Sequence, residues 1–305
     1  MSVAVLKGSV ELGLIYCLVA LGLLLSYKIL GLADLTVDGS FTFGAAVSAI
    51  FTSMGHPFLG IILAIIAGAC AGYVTSVLQT KLKVQPILAG IITMTALYSI
   101  NLMVMGNKSN LPLLKKETVF TFFSEFVPKE YVKIILPLVV VVIVVLALSV
   151  FLKTRLGLSI RATGDNRDMV SASSINPNFT TTVCLCIANA LVALSAGLLA
   201  QYQMFSEITL GTGMVVVGLA SLIIGEVIIG TRSMMHGIMG AIIGSIIYRF
   251  IIAIALNASV SPSNLKLVSA IIVAIAISWP AIKEKIQLHQ LRKAGEGDVD
   301  TQECK

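Results

Sequence analysis

Apolar stretches of membrane-spanning length follow one another along most of the chain, separated by polar links, and no other feature narrows the possible folds as much. A helix needs about 20 predominantly apolar residues to cross the roughly 30 Å hydrocarbon layer, where its backbone must satisfy its hydrogen bonds internally. Candidate spans lie near 9–30, 41–54, 58–79, 86–105, 133–152, 181–202, 212–230, 236–256 and 265–282. None alternates with the two-residue period of a barrel strand. The fold class is therefore an all-α integral membrane protein, a polytopic helical bundle of about nine spans with one short or broken second helix. The chain is 57% hydrophobic and 12% charged, against roughly 25% charged in soluble domains, so residues 1–305 read as one transmembrane domain.

Charge orients the bundle. A net charge of +6 would suggest nucleic acid in a soluble protein, but here the basic residues occupy links between spans, and membrane orientation accounts for them without such a partner. Lys153, Arg155, Arg161 and Arg167 share the segment 153–180, which the positive-inside bias places in the cytoplasm. Alternation then puts Lys81, Lys83, Arg232 and the tail 284–305 on the same side, with the N-terminus and the connection 106–132 outside. The run from Val10 to Leu25 is long for a signal peptide and is taken as the first span. Cys17, Cys70, Cys184 and Cys186 sit in apolar runs as small hydrophobes, which argues against a disulfide framework or a metal site.

The run 41–54 is too short for a straight span, and it follows Gly31 to Ser40, which carries Asp34, Thr36 and Asp38. Broken helices of this kind line transport sites; the structural alternative is a turn with Asp38 capping the next helix. Gln85, Thr95, Ser99 and Asn101 on or beside the fourth span are further pathway candidates, with Thr95 and Ser99 spaced to share a face. The alternative for them is hydrogen bonding between helices. Glu226 and Arg249 are the buried charges that need a partner; they either pair with each other, or Glu226 approaches the cytoplasmic segment, in a gating or structural role. Gly68-x-x-x-Gly72 and Gly240-x-x-x-Gly244 allow close helix packing. Gly31–Leu35 recurs loosely as Gly218–Leu222; an inverted duplication would produce this, but chance accounts better for five apolar-rich residues.

Several separated segments resemble one family. Thr154-Arg155-Leu156-Gly157, then Arg161-Ala162-Thr163-Gly164-Asp165-Asn166, then Ile175-Asn176 resembles the coupling loop of bacterial ATP-binding-cassette importer permeases of the branched-chain amino acid and ribose type. Where that family usually has glycine before the Ile-Asn pair, this chain has Ser174, and a local change of backbone is expected. Gly31 to Ser40 and Lys83-Val84-Gln85-Pro86 with Thr93-Met94-Thr95 resemble further segments of the family. Gly213 to Glu226, Tyr248-Arg249 and Leu265-Lys266-Leu267 are similar to a branch linked to aromatic amino acids such as tryptophan and tyrosine.

The resemblance implies a multi-pass permease of the bacterial cell membrane. It would work as a homodimer with cytoplasmic ATPase subunits and an extracytoplasmic solute-binding protein, surrounded by membrane lipid. Its small-molecule solute would be an amino acid, aromatic favoured, with branched-chain amino acids, a sugar or a nucleoside as alternatives. Arg161, Thr163, Gly164, Asp165, Asn166 and Arg167 would couple to the ATPase. The chain has no Gly-x-x-x-x-Gly-Lys-[Ser/Thr] loop, so no cofactor is expected on it, ATP and Mg belong to the partner, and it is not an enzyme. An ion-coupled secondary transporter is the competing class, with Asp34, Asp38 and Glu226 as its ion sites.

Overall fold

The computed structural model describes residues 3–125, 128–230 and 233–257, with single positions at 267, 270, 271, 274 and 278. Most of the expected span at 265–282, the tail 284–305, Arg232 and Trp279 lie outside the described residues. In chain order the helices are α1 (Val3–Leu23), continued by a π-helical turn (Leu24–Ile29), α2 (Thr36–Ser53), α3 (Pro57–Thr80), α4 (Pro86–Val104) and α5 (Val119–Phe123). They continue as α6 (Lys129–Lys153), α7 (Arg155–Asp165), α8 (Arg167–Ala172), α9 (Pro177–Gln203), α10 (Met214–Ile229) and α11 (Met234–Asn257). Pro57, Pro86 and Pro177 open their helices, where a missing amide hydrogen costs nothing and the fixed φ favours the first turn.

Six of these are long and apolar enough to cross a membrane: α1 with its π turn, α3, α4, α6, α9 and α11. The described residues thus hold six such helices, and the expected count of about nine is approximate. The expected short second span at 41–54 is the 18-residue α2, the one at 212–230 is the 16-residue α10, and the last lies largely outside the described residues. The connections carry secondary structure of their own. Segment 106–132 holds strand β1 (Asn110–Pro112), α5 and the start of α6, and β1 pairs antiparallel with β2 (Phe205–Glu207). Segment 153–180 holds α7 and α8. Because α6 and α9 each run between them, the β1–β2 end and the α7–α8 end lie at opposite ends of the bundle.

α1 and α9 are central and antiparallel. Gly22 packs on Ala188 and Val192, Ser195 Oγ donates to Ile15 O at 2.7 Å, and both helices are mostly buried, whereas α4 and α6 expose most of their surface. The remaining helices follow an inverted pseudo-two-fold. α3 lies antiparallel on α9 through Gly68 and Gly72, as α11 lies antiparallel on α1 through Gly13 and Ser245. α2 runs against α3, as α10 runs against α11 through Gly225, Gly240 and Gly244. This is the inverted-repeat plan of many transporters. The short recurrence read from the sequence does not map onto it: Gly31–Leu35 is irregular chain before α2, and Gly218–Leu222 is inside α10.

The plan makes α2 and α10 start inside the bundle. α2 runs parallel to α9 with Ser40 beside Asn189 and Ser48 beside Gly197, so Thr36 is level with Leu185. That is eight residues into α9, roughly 12 Å at 1.5 Å per residue. α10 runs parallel to α1, with Gly218 against Val19 and Leu23 and Glu226 beside Lys28. The two N-termini therefore meet near mid-depth.

Candidate functional site

The irregular segment before α2 is held by buried hydrogen bonds. Asp34, 2% exposed, accepts from the Thr36 amide at 2.9 Å and from Asn189 Nδ2 at 2.7 Å, while Asn189 Oδ1 accepts from Ser40 Oγ at 2.6 Å. Thr36 and Thr75 share a hydroxyl hydrogen bond at 2.7 Å. Asp34 and Thr36 are thus brought together, as groups that fix where α2 starts.

Asp38 does not cap its own helix, as the structural alternative supposed. Leu35 occupies that position, and Asp38 instead caps α10. Its Oδ2 accepts from Gly213 N at 2.8 Å and its Oδ1 from Val215 N at 2.9 Å, while Thr42 Oγ1 accepts from Gly211 N at 3.0 Å. These amides would otherwise be unsatisfied, and the α10 N-terminus carries about half a positive charge toward the carboxylate. Gly213 makes the turn at φ +86°, a region that other residues enter at a cost. Asp38→Ala is expected to destabilise the protein by about 1–3 kcal/mol, read as a lower unfolding midpoint in detergent. Asp38→Asn, which keeps one acceptor, should lose less.

Beside this junction lies a cavity of about 290 Å³ lined by Asp38, Gly39, Thr42, Met94, Thr95, Tyr98, Asn101, Ile208 and Thr212. It brings together three of the residues singled out for a pathway, Asp38, Thr95 and Asn101. Ser99 is exposed and does not line it; α4 presents Met94, Thr95, Tyr98 and Asn101 to the cavity, at the edge of its buried face of Ala89, Gly90, Thr93, Leu97 and Asn101. Gln85 is exposed at the start of α4, away from the cavity. Thr42 and Tyr98 were missed from the sequence. Tyr98 falls at the helical spacing between Met94 and Asn101, but only the position of α2 shows that this face matters.

At the other end, Lys28 of the π turn pairs with Glu226 of α10, Nζ to Oε1 at 2.9 Å. The Glu226–Arg249 pairing is therefore corrected: Arg249 stacks on the Tyr16 ring, 3.6 Å from its centroid. The alternative that Glu226 approaches the 153–180 segment agrees with the geometry. Lys28, Glu226, Arg161 and Asp165 line one opening of about 330 Å³. The four formal charges sum to zero, and with Lys28 45% exposed the pair itself stabilises by no more than about 1 kcal/mol.

Within the segment, surface and support separate. Thr154 caps α7 and Asn166 caps α8, the latter accepting from Asp168 N and Met169 N, each at 3.0 Å. Thr163 is buried against Thr180, hydroxyl to hydroxyl at 2.8 Å. A side chain at Gly164 would run into the carbonyl of Ile29, so α7 seats directly on the backbone that ends the π turn. Arg161, Asp165 and Arg167 are exposed, with Arg167 reaching Thr181 Oγ1 at 3.4 Å. Ser174 sits at φ +61°, the conformation glycine favours, so the backbone there keeps a glycine-like turn despite the serine. Ser174→Gly is expected to raise stability by up to about 1 kcal/mol, visible as a small rise in the unfolding midpoint.

The chain is 39% identical over 261 residues to a tyrosine transport system permease protein of Clostridioides difficile (strain R20291), covering 85% of this chain and 86% of that protein. It is 34% identical over 279 residues to an uncharacterized protein of Rickettsia prowazekii (strain Madrid E), covering 90% of this chain and 97% of that one. No solved structure matches. The profile described as branched-chain amino acid transport system / permease component matches residues 6–277, nearly the whole described bundle, and the chain belongs to that family.

Proposed function

We propose that this chain is the membrane-spanning subunit of an ATP-binding-cassette importer that moves amino acids, aromatic ones favoured, with two copies forming the translocation pathway. The observation that carries this reading is the continuity of α10. Its C-terminal part is tied through Glu226 to Lys28 beside α7, and its N-terminus is held by Asp38 at the cavity wall. A rigid 16-residue helix thus joins the α7–α8 end to the cavity. In this reading the α7–α8 end is cytoplasmic and docks on the ATPase, the β1–β2 end faces the binding protein, and the N-terminus lies outside. The exposed face of α4, carrying Thr95 and Ser99, turns toward the second copy. The three carboxylates that an ion-coupled transporter would need are each engaged: Asp34 by Thr36 and Asn189, Asp38 by two amides and Glu226 by Lys28. The aromatic preference comes from the relative named for tyrosine transport.

The reading is tested by reconstituting the chain in proteoliposomes with its ATPase and binding protein and measuring ATP-dependent uptake of tyrosine, phenylalanine, leucine and ribose. Uptake of the aromatic amino acids that requires ATP supports the reading; uptake that follows an ion gradient without ATP overturns it.

A further inference from the structure

The opening at the α7–α8 end carries more charge than its fold uses. Lys28 and Glu226 are paired across it, Nζ to Oε1 at 2.9 Å. Arg161 and Asp165 line the same space and are exposed, and among the described residues they form no ion pair, either with each other or with Lys28 and Glu226. They stand four positions apart on α7, which puts their Cβ atoms about 5–6 Å apart on one face. The cation lies N-terminal to the anion, the weaker order for a pair within a helix. α7 therefore presents a guanidinium fork and a carboxylate side by side, each able to take a partner from outside.

The rest of the opening is largely apolar. Leu24 and Ile29 of the π turn are 1% and 6% exposed, and Met234 and Gly237 of α11 continue that wall. A Cβ on Gly237 would meet only the end of the Leu24 side chain, at 3.3 Å. The space of about 330 Å³ suits one small ligand. A plain anion there would face Asp165 and Glu226, and a plain cation would face Arg161 and Lys28. A zwitterion meets both signs, and an α-amino acid holds its carboxylate and ammonium close enough to reach Arg161 and Asp165 at once. The acyl chains of a zwitterionic lipid need a longer apolar groove than this wall provides, so a free amino acid fits better.

We infer that this opening is a feedback site for a zwitterionic amino acid with an apolar or aromatic side chain, its carboxylate on Arg161, its ammonium on Asp165 and its side chain against Leu24, Ile29 and Met234. The inference rests on the permease reading above, which makes this end cytoplasmic and such an amino acid the delivered solute, and it adds regulation to that reading. A ligand held between α7, the π turn and α11 ties the coupling segment to the bundle, so accumulated solute slows the motion that ATP hydrolysis drives.

The test uses the full chain in complex with its ATPase in nanodiscs, without binding protein, and measures binding of tritiated L-tyrosine and the ATPase rate as L-tyrosine is added. Tyramine, which lacks the carboxylate, and 3-(4-hydroxyphenyl)propionate, which lacks the ammonium, serve as competitors. Each is expected to compete at least about tenfold more weakly than unlabelled L-tyrosine, the scale of one lost hydrogen bond to a charged group, and L-tyrosine is expected to lower the ATPase rate. Gly237→Leu fills the apolar wall and leaves the four charges in place; it should weaken tyrosine binding at least about tenfold and relieve the inhibition, measured against its own rate without amino acid. Asp165→Asn, on the exposed face of α7, should weaken L-tyrosine and leave competition by the propionate unchanged. Tyrosine affinity unaltered in both variants, an analogue that matches L-tyrosine, or binding that leaves hydrolysis at full rate each overturns the inference. Displacement of tyrosine when phosphatidylethanolamine is added to phosphatidylglycerol nanodiscs would give the opening to lipid and overturn it equally. ATP-driven uptake by the complete importer with no such feedback sinks this inference and spares the transport reading. Uptake that follows an ion gradient, together with tyrosine binding that depends on Gly237 and Asp165, does the reverse.

Discussion

Arg161→Glu is expected to abolish ATP-driven uptake, by at least about tenfold, while leaving membrane insertion and yield intact. Arg161 is exposed on α7 and shares an opening with Lys28, Asp165 and Glu226, where two positive charges now balance two negative ones. Reversal leaves Lys28 as the single cation among three carboxylates. Like charges near a protein surface repel, and about 1.4 kcal/mol of added repulsion already shifts an equilibrium tenfold. The seating of α7 on the π turn and the Lys28–Glu226 contact should both loosen, together with any charge-assisted bond from Arg161 to an ATPase. Uptake and ATPase rates of reconstituted protein check this, with Lys153→Glu, exposed at the end of α6, as a control that should change little. Normal uptake by Arg161→Glu would remove α7 from the coupling step.

Gly244→Leu is expected to be the most damaging single change in the bundle, costing about 3 kcal/mol or more. A Cβ at 244 would overlap the carbonyl oxygen of Ser221 and lie 2.7 Å from the amide nitrogen of Gly225, so only a backbone shift makes room. Overpacking usually costs about 1–3 kcal/mol, and contacts with backbone on the facing helix belong at the upper end. The same shift would move α10, whose N-terminus caps on Asp38 and whose other end carries Glu226. Loss of folded protein and of uptake should therefore go together, measured as monodisperse yield in detergent and as transport at reduced temperature. Gly8→Leu is the matched control, since an added Cβ there meets nothing within 4 Å.

These two sites differ in how they were readable. Gly240-x-x-x-Gly244 announces close packing from its spacing, although the partner, α10 at Ser221 and Gly225, is known only from the fold. Arg161 and its neighbours stood out as a charged island, yet which of them face outward did not. Thr163 and Gly164 look like surface residues in the sequence and turn out to support α7 from beneath, on Thr180 and Ile29. Hydropathy counted α2 and α10 as spans because it measures apolar length and not depth. Lys28, the partner of Glu226, lies 198 positions away from it, and no local pattern links them.

By itself the sequence determined that the protein is a helical membrane bundle, and the order of its motifs determined its family. Both follow from local information, since the apolar length of a helix and the residues of a loop belong to contiguous chain. Only the tertiary structure decided that α2 and α10 begin at mid-depth, that Asp38 caps α10, and that Asp38, Thr95 and Asn101 share a cavity from which Gln85 and Ser99 are absent. The physical reason is that buried amides and charges take their partners from whatever the packing of distant helices brings within hydrogen-bond reach, and that geometry arises only once the inverted halves are assembled.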